Sequence, residues 1–220
     1  MCWNSDISIN TFLFAVLALL FIFLTNTYSK YKLKAFENPL VYLLLLEAAT
    51  MQLIEYFLWK NLKNKTMNEL LSKIASFVVI IQAPTVMLMI QNLNIRYGLL
   101  LIYVIFFIVY FEYKRIYYPI KFNTSVSKNG HLSWDWMNYN GHGNKLLLFI
   151  FLFLYGISFL SIANIEITII GLVSLFVSLF YYFKDNSFSS MWCWLSNLFL
   201  LYFIVNILII KPYYEYNSLC

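Results

Sequence analysis

Charge is scarce in this sequence: Lys, Arg, Asp and Glu make up 11% of the 220 residues. A soluble domain carries about a quarter, and one of this size could not cover its core with so little polar surface. Histidine is scarcer still, with only His131 and His142. A three-histidine metal site is therefore impossible, which disfavours a zinc hydrolase of the seven-span type. Cys2, Cys193 and Cys220 are an odd set without CxxC spacing, so no disulfide framework is implied. No positive charge precedes the first apolar run and no small-residue cleavage site follows it, so no cleavable signal peptide is expected and the run stays as a span. No internal repeat supports a duplicated transporter. The few glycines and prolines (6 and 4) and the bias toward Phe, Tyr, Ile, Leu, Asn and Lys suit an AT-rich genome. That bias limits what any single Lys or Asn can signify.

What is abundant is apolar surface: 62% of residues are hydrophobic, 20% are aromatic, and the mean hydropathy is +0.72. Only a bilayer stabilises so much of it. Residues 1–220 read as a single all-α domain, a polytopic membrane helical bundle. A helix needs about 20 apolar residues to cross about 30 Å of hydrocarbon. Seven such runs occur, at about 8–28, 38–60, 70–93, 96–118, 145–163, 165–183 and 188–210. The tight turn Asn164-Ile165-Glu166 makes the fifth and sixth a helical hairpin, one long kinked element being the competing reading. Spanning strands are excluded, because the runs are continuous rather than alternating.

With seven spans the termini lie on opposite sides. The side of the N-terminus, here the near side, holds ten Lys/Arg against five on the far side. The positive-inside rule therefore expects the near side to be cytoplasmic. Against this stand three lysines in the first far-side loop and two near-side glycosylation sequons, at Asn64 and Asn123. The net charge of +5 sits beside apolar spans and signals lipid and orientation, not nucleic acid.

All six tryptophans (Trp3, Trp59, Trp134, Trp136, Trp192, Trp194) and both histidines fall on the near side. An interfacial aromatic belt explains most of them, and a structured aromatic vestibule is the alternative. The loop 119–145 is long for a bundle, and in 131–136 Leu and Trp alternate with polar residues, as in a short strand or a surface segment with Trp inward. His131, Asp135 and His142 match no zinc spacing, so no metal is expected.

The second span carries the sharpest signal. Ala48, Gln52, Glu55 and Trp59 lie at i, i+4, i+7 and i+11, one helical stripe. A carboxylate at such depth costs about 2.5–3.5 kcal/mol, so Glu55 should face the bundle interior with a partner. It is either a proton carrier, cation ligand or acid/base, or a structural lock between helices. Glu47 lies about 12 Å further along the axis and is turned away. Gln82, Thr85, Met89 and Asn92 form a possible partner stripe on the third span. Pro84 should kink that helix and free a carbonyl near Ile80. The seventh span adds Ser190, Cys193 and Asn197. It has no interior lysine, so it offers no retinal Schiff base, and no cofactor is implied. On the sixth, Gly171, Ser174 and Ser178 allow close helix approach. The candidate ligand-binding or ion-handling residues are thus Glu55, Gln52, Gln82, Trp59, Asn92, Cys193, Asn197, Trp192 and Trp194, with no catalytic residue assigned.

Three stretches carry a resemblance: Met1-Cys2-Trp3-Asn4 with Ser8, Met51-Gln52-Leu53-Ile54-Glu55-Tyr56-Phe57-Leu58-Trp59, and Trp192-Cys193-Trp194. From its first residues to its last span the chain resembles a family of small multi-pass membrane proteins of large DNA viruses and some microbial eukaryotes. That family has no established activity. The resemblance implies a membrane protein and transfers no catalytic residue. The expected function is a small-molecule or ion-handling bundle (sensor, carrier or channel). The alternatives are a structural or virion membrane protein with packing-only polar residues, or a lipid-modifying enzyme using Glu55 with Cys193 or a His. The expected partners are the bilayer and a small ligand, lipid or ion.

Overall fold

In the computed structural model, residues 3–117, 119–137 and 144–218 are described; His142, Cys2 and Cys220 lie outside them. The described residues form helices α1 (Ser5–Tyr28), α2 (Pro39–Asn61), α3 (Lys65–Leu88), α4 (Leu93–Tyr117), α5 (Asn144–Leu160), α6 (Ile165–Tyr182) and α7 (Phe188–Val205). A π turn, Asn206–Ile210, leads α7 into α8 (Lys211–Ser218). Strands β1 (Thr124–Val126) and β2 (Leu132–Trp134) pair as an antiparallel hairpin between α4 and α5. Among the described residues, six helices are long and apolar enough to cross a membrane, with α7 and α8 counted as one. This is the make-up of a multi-pass membrane protein. The apolar α5 is shorter, at 17 residues.

Asparagine starts most of these helices. The side-chain oxygens of Asn4, Asn38, Asn64, Asn92 and Asn164 accept backbone N–H groups at the first turns of α1, α2, α3, α4 and α6. Each satisfies donors that have no partner within the helix. Pro39 occupies the first turn of α2, where its missing N–H costs nothing.

Helix α2 is central and packs on α1, α3 and α7, while α6 lies on α7 and α5 bridges α3 and α6. Helix α4 touches mainly α3 and α5 and leaves its outer face bare. The close α5–α6 approach depends on Gly171, where an added Cβ would lie 2.3 Å from the Phe159 ring. Ser174 accepts the Trp192 indole N–H at 3.0 Å, and Ser178 donates to the Phe188 carbonyl. The chain between α5 and α6 is a turn capped by Asn164, and the two helices form a hairpin.

Pro84 lies inside α3, and the Tyr103 hydroxyl of α4 donates to the Ile80 carbonyl at 2.5 Å. That carbonyl is the one a proline at 84 leaves without its helical donor. Helix α3 is nevertheless shorter at its far end than the apolar run suggests. It closes with Met89 N–H to Val86 O and Ile90 N–H to Met87 O, both 3.1 Å.

The hairpin is anchored, not laid on a surface. Asn68 of α3 donates to Thr124 O and accepts from Thr124 N–H, each at 2.8 Å. Ser72 meets the Thr124 hydroxyl at 2.8 Å. Gly130, with φ of 80°, makes the turn between the strands. Asn186 holds a left-handed φ of 54° between α6 and α7 and donates to Ser133 Oγ at 3.0 Å and to Trp134 O at 3.3 Å. Leu132, Ser133 and Trp134 are all buried, so the expected one-sided alternation does not hold. Ser133 is buried because Asn186 gives it a hydrogen bond. At the far side, Glu215 of α8 accepts from Lys30 Nζ and Tyr31 Oη, and Lys211 donates to Lys32 O.

Candidate functional site

Three helices bring buried polar side chains to the interior. On α2, Gln52 is fully enclosed and Glu55 is 3% exposed. One turn of helix separates them, so the Gln52 amide donates to Glu55 Oε2 at 3.3 Å. The Ser190 hydroxyl of α7 lies beside the same carboxyl. One turn further into α7, the Cys193 thiol lies close enough to feel the Glu55 charge and sits against the Gln82 amide of α3. Asn197, the next turn of α7, donates to Cys193 O at 2.9 Å. The residues at i, i+3 and i+7 of α7 thus face α2 and α3.

A second carboxylate stands deeper along α2. Glu47 Oε1 accepts from the Thr85 hydroxyl of α3 at 2.8 Å. Tyr155 of α5 is buried within electrostatic reach of both Glu47 and Cys193. The two carboxylates lie about 12 Å apart along the α2 axis, and Cys193 and Tyr155 link their surroundings, the first near Glu55 and the second near Glu47. No sequence signal singled out Tyr155, which lies within an almost wholly apolar helix. Glu47 and Thr85 were each visible as polar residues in a span, but their pairing required the helix register.

Hydrogen-bond capacity in this interior is not matched. Among the described residues, the acceptors Gln52 Oε1, Glu55 Oε1, Glu47 Oε2 and Asn197 Oδ1 are buried with no hydrogen-bond partner, as are the Ser8 hydroxyl of α1, which can donate or accept, and the donor Gln82 Nε2. Unpaired acceptors outnumber donors, each costing about 1–3 kcal/mol if left so. A small cavity of about 40 Å³ reaches this region at Gln82, its wall also including Cys193, Ser174, Tyr155 and Trp192. A space of that size holds a few water-sized groups.

The other candidates fall elsewhere. Asn92 is exposed at the far side and accepts from Asn94 N–H at 3.0 Å and Ile95 N–H at 3.2 Å. It starts α4 and does not belong to the interior stripe, because α3 has already ended. Trp59 is half-buried at the near end of α2, packed on the core. Trp192 is not an interfacial residue: it stacks edge-on against Tyr155 at 4.8 Å inside the bundle. The near-side aromatics interlock. Trp3 meets Trp194 edge-on at 4.7 Å and His131 at 4.9 Å, and Trp134 stacks on Trp136 at 5.1 Å. His131 also meets Tyr182 at 5.2 Å, and burial pushes its imidazole below the ordinary value of 6.5, with Asp185 partly opposing. Asp135 accepts from Asn123 at 2.9 Å. Among the described residues no group of three His, Cys, Asp or Glu side chains is placed to hold a metal.

No family model matches the chain, and no curated protein and no solved structure matches it. The fold and interior define a class only: a helical bundle of membrane-spanning type with an enclosed, acceptor-rich polar centre.

Proposed function

We propose that this protein handles a small cation or a protonated small molecule in the chamber lined by Gln82 and Cys193, beside Glu55, as a sensor, carrier or channel. One observation carries the reading: the excess, among the described residues, of buried, unpaired oxygen acceptors on α2 and α7. In a low-dielectric interior these favour a species that brings positive charge or hydrogen-bond donors. Glu55 supplies the charge, Gln52 and Asn197 supply carbonyl oxygens, and the near-side hairpin with its tryptophans forms a cap above them.

The reading takes α5 as a seventh span. Its 17 residues reach about 26 Å, close to the hydrocarbon thickness. It places the N-terminus in the cytoplasm, on the ten-to-five Lys/Arg bias. It also places the protein among the small membrane proteins of large DNA viruses and some microbial eukaryotes. Support comes from the meeting of the three resembling stretches, Trp3 on Trp194 and Glu55 beside Ser190 and Cys193.

The test is thermal unfolding of the purified protein against sodium, potassium, ammonium and small amines, beside Glu55→Gln. A ligand that binds only the folded state raises its melting temperature. One cation should stabilise the native protein and leave the variant unmoved. No shift from any of them, with both forms equally stable, would return Glu55 to a packing role.

The nearness of Cys193 to Glu55 favours one second reading, a lipid-modifying enzyme with the thiol as nucleophile. Cys193→Ser separates the two. Ion handling survives it, whereas nucleophilic catalysis is lost.

A further inference from the structure

Away from the central chamber, a slot opens sideways between α3, α4 and α5. Its walls are hydrocarbon and aromatic, among them Val79, Phe107, Leu148 and Phe151. Its near-side end has a different chemistry, with Lys114, Tyr110 and Trp136 in the wall there. Among the described residues, Lys114 is the one charged side chain lining the slot, and its ammonium lies 5.8 Å from the Tyr110 ring. The Trp136 indole N–H is buried with no acceptor among the described residues.

The gradient runs along α4, from its near end inward. Lys114 sits one turn from the near end of α4, and Phe106 lies about 12 Å deeper along the same helix. That span covers most of one leaflet's share of hydrocarbon, about 15 Å. Helix α4 is the least buried of the long helices, with 6% of its apolar window covered, so the slot communicates with the bilayer rather than with the chamber. A cation and an indole donor at headgroup height above an apolar cleft are complementary to an anionic lipid.

We propose that this slot is a specific site for one anionic glycerophospholipid, its acyl chain between α3, α4 and α5 and its phosphate against Lys114 and Trp136. The lipid would complete the packing of α4, which few protein contacts hold. The proposal does not depend on what the chamber beside Glu55 carries.

The test is native mass spectrometry of the full chain in neutral detergent, with equal amounts of phosphatidylglycerol and phosphatidylcholine of identical chains. The native protein should retain one phosphatidylglycerol with roughly fivefold preference, the scale of one cation near the surface. Lys114→Gln should bring the two lipids to parity, Lys114→Arg should keep the preference, and Leu148→Trp should fill the slot and expel both. Should Lys114→Gln fail to fold, quenching of tryptophan fluorescence by chain-brominated phosphatidylglycerol decides, with Trp136→Phe as the reference. Quenching that disappears in that variant supports the site. Equal retention of both lipids by the native protein, a preference unchanged in Lys114→Gln, quenching unaltered in Trp136→Phe, or displacement by inorganic phosphate alone would each overturn it.

Discussion

Helices α2 and α4 are nearly equal in length, at 23 and 25 residues, yet half of the apolar window of α2 is buried against 6% of that of α4. The less hydropathic of the two is the central one, at 1.4 against 1.9. In water the order would be reversed, because burial there follows hydrophobicity. In hydrocarbon an apolar face gains little by leaving lipid, whereas Gln52, Glu55 and Glu47 gain much by facing other helices. The polar residues of α2 thus set its place, and the uniformly apolar face of α4 leaves that helix at the rim.

The strongest test of this contrast is side-chain truncation. Leu58→Ala on α2, where the side chain is fully enclosed, should cost about 2–5 kcal/mol, while Ile108→Ala on the bare face of α4 should stay within about 0.5 kcal/mol. Equilibrium unfolding in mixed micelles measures both, and equal losses would break the comparison. Next in size is Thr85→Val, which leaves the Glu47 carboxyl without its one hydrogen bond, at about 1–3 kcal/mol. Glu47→Leu in the same background should recover part of that loss.

A smaller effect probes how α4 is held. Tyr103→Phe removes the donor to Ile80 O and should cost about 0.5–1.5 kcal/mol. Adding Pro84→Ala restores a backbone N–H for that carbonyl, so the Tyr103→Phe penalty should shrink in the double variant. Strict additivity would mean the hydroxyl does not serve the kink.

The smallest effect concerns the near-side cap and leaves α4 untouched. The buried His131 imidazole has its proton affinity lowered on folding, so the unfolded chain binds the extra proton first. Stability should therefore fall as pH drops below about 6.5 and recover above it. His131→Phe should flatten that dependence in a thermal melt.

Much of this contrast could be read from the residues. The stripe Ala48, Gln52, Glu55 on α2 and the turn-spaced Ser190, Cys193 and Asn197 on α7 point inward because a polar stripe has only one favourable direction in a bilayer. Asn92 was misread because no glycine or proline ends α3, and the helix stops instead where Met89 and Ile90 bury into the core. Its role as the start of α4 was legible, since Asn before an apolar run is a capping signal. The same signal was present at Asn4, Asn38, Asn64 and Asn164, hidden by a composition in which Asn is common. Contacts across elements were beyond reach: Asn68 to Thr124, Asn186 to Trp134 and Trp192 to Ser174 depend on register that no local pattern encodes.

The most direct measurement is native mass spectrometry with elemental analysis of the purified protein and Glu55→Gln, at matched stability. The account predicts a stoichiometric cation or protonated small molecule on the native chain and its loss from the variant. Both forms at the mass of their own bare polypeptide, with nothing bound to either, would contradict it.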